Sequence, residues 1–66
     1  MKYKDFIIEA SEHEPGKWKA SISRVDGQPT TCEGVKLDRY TTASDAPAAA
    51  AAIRLACWAL DDGYVT

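Results

Sequence analysis

The sequence predicts an α+β domain in the order β-β-β-α: a three-stranded antiparallel sheet packed against one C-terminal helix. Three observations predict it. Residues 17 to 25 alternate, with Trp18, Ala20 and Ile22 on one side and Lys17, Lys19, Ser21 and Ser23 on the other. That is the period-two pattern of a strand with one buried and one wet face. Pro15-Gly16 and Asp26-Gly27 bracket this run, as turn pairs bracket a strand. Residues 45 to 62 are rich in alanine, the residue with the strongest helix preference.

The elements follow in order. A first strand spans about residues 2–10, where Tyr3, Phe6, Ile7 and Ile8 favour extended backbone. Phe6 and Ile8 point one way and Ile7 the other. Residues 11–16 are a polar connection, with Pro15-Gly16 suited to a type II turn that needs positive φ at the glycine. The second strand spans about 17–25. Pro29 makes the return irregular or places it at an edge. The third strand spans about 31–40, with Val35 and Leu37 in the register opposite to Cys32, Lys36 and Tyr40. Gly34 there reads as a bulge, which would switch the phase and turn Cys32 inward.

The helix spans about 45–62. Thr42 or Ser44 caps its start, Asp45 faces the free amides of the first turn, and Pro47 sits where a missing N–H costs little. Gly63 ends it, and Tyr64 or Val65 folds back over the last turn. The expected core is Phe6 or Ile7, Ile8, Trp18, Ala20, Ile22, Val35 and Leu37 against the helix.

The helix is apolar on more than one side. At 100° per residue, Ala49, Ile53, Ala56 and Leu60 form one stripe, flanked by Cys57, while Leu55 and Trp58 lie far round with Ala48, Ala51 and Ala59. One small sheet cannot cover both. Ala51, Leu55 and Trp58 are therefore the candidate protein interface, with Ile53 and Leu60 as the alternate set if the helix is rotated. Contiguous exposed apolar surface marks interaction sites, and small alanines let paired helices approach closely. The competing reading lays Trp58 flat on the surface under Tyr64, Val65 and the first strand.

With 66 residues the chain has room for one small domain, residues 1–66. The hydrophobic fraction of 45% and charged fraction of 27% are those of a globular protein. The formal net charge of −2 weighs against a module that grips phosphate backbones. No apolar run is long enough to span a membrane, and Phe6-Ile7-Ile8 is too short for a signal-peptide core. A cytoplasmic location is expected, with Cys32 and Cys57 as reduced thiols; a disulfide between them depends on geometry that sequence does not specify.

Candidates for chemistry are sparse. His13, between Glu12 and Glu14, is the single histidine; it reads as part of a solvated loop. The two cysteines lack the close spacing of metal or redox motifs. Asp61 and Asp62 are adjacent on a helix and point apart. The glycines are isolated and form no phosphate-cradling loop. No catalytic residue, cofactor or metal is implied, and the expectation is a non-enzymatic module.

Lys17, Lys19 and Arg24 are the candidate nucleic-acid contacts. The segments Gly16-Lys17-Trp18-Lys19-Ala20-Ser21-Ile22, Asp26-Gly27 and Tyr40-Thr41-Thr42-Ala43-Ser44-Asp45-Ala46, followed by an Ala-rich helix, resemble the AP2-type DNA-binding fold. That family includes the arm-binding domains of phage-type integrases. The resemblance implies a three-stranded sheet whose basic residues contact DNA, which here would be Lys17, Lys19 and Arg24. This chain departs from it in its acidic balance and in Glu12, Glu14 and Glu33. A second similarity is to HicB-type antitoxins, which pair a small sheet with a helix and bind a toxin; their Pro-Asp-Leu-Pro-Gly segment is absent. The leading expectation is a protein-interaction module, a homodimer or the binder of a protein partner, acting through the outer helix face. The alternative is an AP2-like nucleic-acid-binding module.

Overall fold

A computed structural model describes residues 1–66. It corrects the expected three-stranded sheet. Six short strands form a four-stranded sheet and a separate two-stranded one, every pair antiparallel, with a single C-terminal helix. They are β1 (Lys2–Tyr3), β2 (Phe6–Glu14), β3 (Lys17–Arg24), β4 (Thr30–Cys32), β5 (Val35–Leu37) and β6 (Tyr40–Thr41), followed by α1 (Ala49–Asp61). The larger sheet has the order β1-β2-β3-β6, and β4 pairs with β5.

Turn chemistry explains both departures. The expected first strand is folded into a hairpin at Lys4-Asp5, where Lys4 takes a positive φ of 55°. The expected third strand is broken at Glu33-Gly34, with φ of 53° and 81°. Two consecutive positive values belong to a type I′ hairpin turn, not a bulge. Cys32 does face inward, but as a member of this second hairpin. After Leu37 the chain crosses back and adds β6 along β3, pairing Tyr40 with Ile22 and Thr41 with Ser21.

The central hairpin follows its sequence pattern. Gly16 has the positive φ that the Pro15-Gly16 turn requires. Ile8 and Ile22 face each other in the ladder, as do Ala10 and Ala20. Their side of the sheet meets α1; the opposite side, with Ile7, Glu9, Lys19 and Ser21, is open.

The helix starts at Ala49, later than the expected 45, for a physical reason. Thr42 is buried and committed to β3: its N–H donates to the Ala20 carbonyl at 2.9 Å and its Oγ1 accepts from the Ala20 N–H at 3.0 Å. It therefore cannot cap. Ala46 and Trp18 exchange backbone hydrogen bonds at 2.8 Å, holding residue 46 in extended backbone. Pro47 consequently precedes the helix, and the N-cap is Ala48, which has no side-chain cap. The C-terminus follows expectation. Gly63 has φ of 77°; its N–H reaches the Leu60 carbonyl and the Tyr64 N–H the Ala59 carbonyl, the paired bonds of a Schellman motif. Val65 turns inward and bridges Cys32.

The core consists of Ile8, Ala20, Ile22, Cys32, Ala46, Ala52, Ala56, Leu60 and Val65. The expected core is corrected at three places. Val35 lies on the exposed edge hairpin, Ile7 projects from the open sheet face, and Phe6, Trp18 and Leu37 pack only at the margin. No helix is long and apolar enough to cross a membrane.

Candidate functional site

The orientation of α1 decides which apolar side is left over. Ala52, Ala56 and Leu60 are buried against the sheet, a stripe of spacing four on one helix face. Ile53 and Cys57 pack on one flank and Leu55 and Ala59 on the other. Trp58 falls on the outside and is 64% exposed. The alternate set of Ile53 and Leu60 is thus taken up, wholly or in part, by the core. Tyr64 and Val65, which could have covered Trp58, are engaged elsewhere: Tyr64 packs edge-on against Tyr40, with ring centroids 6.1 Å apart.

Ala51, Leu55 and Trp58 come together along the wall of one groove. Asp45, Ala46, Pro47 and Arg54 complete it, enclosing about 310 Å³. Its floor exists because residues 42–46 are pinned to β3 while α1 begins three residues later, leaving a step between loop and helix. The two charged members have opposite signs. Arg54 makes no ion pair within the chain, whereas Asp45 is held by His13, whose Nε2 lies 2.6 Å from Asp45 Oδ1. This hydrogen bond holds the Asp45 carboxyl below the usual carboxylate range, with Lys19 and Lys17 adding to the effect.

His13 is therefore not a free loop residue. In the β2–β3 ladder Glu12 pairs with Trp18 and Glu14 with Lys17, so His13 is the extra residue of a bulge. Bulges re-aim side chains, and this one directs the imidazole to Asp45. The pair is separated by 32 positions, and no local pattern announces it. Asp45, Pro47 and Arg54 were likewise missed as groove residues, because their convergence depends on where residues 42–46 dock.

The three candidate nucleic-acid contacts are divided. Lys17 and Lys19 project from the open face of β3, where Lys17 binds Glu14 at 3.1 Å. Arg24 has the parity of Ala20 and Ile22, so it leaves the strand on the helix side. There it stacks over Phe6, 5.6 Å from the ring centroid, and grips Asp26 with two hydrogen bonds of 3.1 Å.

The remaining polar cluster is at the other end of α1. Tyr3 and Lys4 both bind the Asp61 carboxylate, at 2.9 and 2.8 Å. Lys4 first, then Tyr3, holds Asp61 below its ordinary range. A carboxylate near a helix C-terminus opposes the macrodipole, and Lys4 offsets that. Cys32 and Cys57 are free thiols, and burial pushes the Cys57 thiol up, away from the reactive thiolate. No three His, Cys, Asp or Glu side chains converge as a metal-holding group.

Fold and groove together describe a two-layer α+β domain with one open sheet face and an apolar cleft on the outer flank of its helix. Comparison with protein-family models, curated proteins and solved structures finds no match.

Proposed function

We propose that this chain is a small non-enzymatic, cytoplasmic protein-interaction module that self-associates through the groove formed by Ala51, Leu55 and Trp58. The occupant is a second copy of the same surface. The observation that carries this reading is self-complementarity. A two-fold contact brings identical patches together, and this patch contains both a projecting Trp58 and a cleft beside it. It also contains both charges: an unpaired Arg54 and a carboxylate, Asp45. A two-fold pair that sets Arg54 of each copy against Asp45 of the other would match these charges. Apolar burial gains roughly 25 cal/mol per Å², and aromatic residues set in clefts carry much of the energy of interfaces.

Sedimentation velocity over a dilution series tests the reading. A concentration-dependent dimer is expected. Trp58→Ala abolishes it while the unfolding free energy of the monomer stays within about 1 kcal/mol of the parent. Ile7→Ser, on the open sheet face, leaves it intact. A monomer at every concentration, or a dimer lost in Ile7→Ser but kept in Trp58→Ala, overturns the proposal.

A further inference from the structure

The groove has a titratable neighbour. Asp45 forms part of its wall and is bound by His13 from the β2 bulge at 2.6 Å. The other charged groups around the pair are few. Lys17 and Lys19 on β3 act on Asp45. Glu14 on β2 is engaged by Lys17, and Glu12 accepts the Gly16 N–H at 3.0 Å. From α1, Arg54 shares the groove but makes no bond to Asp45. Among these side-chain types only an imidazole changes charge near neutral pH.

We propose that the His13–Asp45 pair makes self-association through the groove pH-dependent, with protonation of His13 weakening it. The inference rests on the self-association reading above. With a neutral imidazole, Asp45 presents a net negative charge to the partner's guanidinium. With a protonated one, the pair carries no net charge, and the attraction to Arg54 of the second copy is lost. Asp45 itself stays ionised throughout, since the His13 hydrogen bond, with Lys19 and Lys17, holds its carboxyl down. Linkage then fixes the sign: the dimer favours the unprotonated imidazole, so it tightens as pH rises.

Sedimentation equilibrium of the full chain at low salt, at about pH 6 and about pH 8, tests this. The dimer dissociation constant is expected to be roughly two- to fivefold smaller at the higher pH, the scale of an exposed ion pair. His13→Gln removes the difference. Arg54→Gln also removes it and leaves the weaker constant at both values. A dimer that tightens in acid, or whose pH response survives His13→Gln, overturns the inference. A dimer that is lost in Trp58→Ala yet indifferent to pH overturns this inference alone; a monomer at both values overturns the self-association reading with it.

Discussion

The two long sides of α1 have nearly the same chemistry and very different surroundings. The inner side presents Ala52, Ala56 and Leu60, all buried. The outer side presents Ala51, Leu55 and Trp58, in which the largest side chain of the helix is the most exposed. Hydrophobicity alone does not separate them; size does. Against the sheet the helix meets Ala20 with Ala52 and Ala56, none of which retains any exposure. Alanine against alanine brings the backbones close and leaves no room for an indole. The larger side chains of the core, Ile8, Ile22, Leu60 and Val65, fill the space around that contact. Trp58 is outside because the inner face is already full.

The largest break of this contrast is expected in the wall that the inner side rests on. Ile22→Ala removes a fully buried side chain and should cost about 2–5 kcal/mol, enough to unfold much of so small a domain, as urea titration followed by circular dichroism will show. A smaller effect is expected from matched insertions. Ala56→Leu overpacks the inner contact and should cost about 1–3 kcal/mol, while Ala51→Leu on the outer side should stay within about 0.5 kcal/mol. Equal costs for the two would erase the distinction between the faces. Smallest is a change remote from both. Glu33→Asn places a residue tolerant of left-handed backbone at φ of 53° and should raise stability by about 0.5–1 kcal/mol, with no change in either helix face.

The parts of the fold that sequence reasoning reached are those written in local patterns. The alternation of Trp18, Ala20 and Ile22, the Pro15-Gly16 turn and the Gly63 terminus each depend on neighbours within a few residues. Splitting the chain into six strands did not depend on such cues. Glu33-Gly34 and Lys4-Asp5 lack the Asn or Asp at the first position that marks a tight hairpin, so strands that look continuous are folded in two. The late start of α1 was hidden for a different reason. Thr42 is a good cap by type, but its hydroxyl is taken by β3. The groove divides in the same way. Ala51, Leu55 and Trp58 follow from helical spacing; Asp45, Pro47 and Arg54 join them only through the docking of residues 42–46, and His13 only through a bulge.

The clasps at the far end of the helix bear on how the molecule folds. Tyr3 and Lys4 reach Asp61 across 58 and 57 positions, and Thr31 and Thr66 exchange backbone hydrogen bonds at 2.6 and 2.8 Å. Neither closure can form early. The helix can wind and terminate on its own last-turn bonds in roughly a microsecond, yet Val65 has no buried place until β4 has been carried round to receive it. The rate of folding is then governed by the search for these distant partners, not by the helix. Hydrogen exchange is accordingly expected to show β1 and the last two residues opening before the β2–β3 ladder.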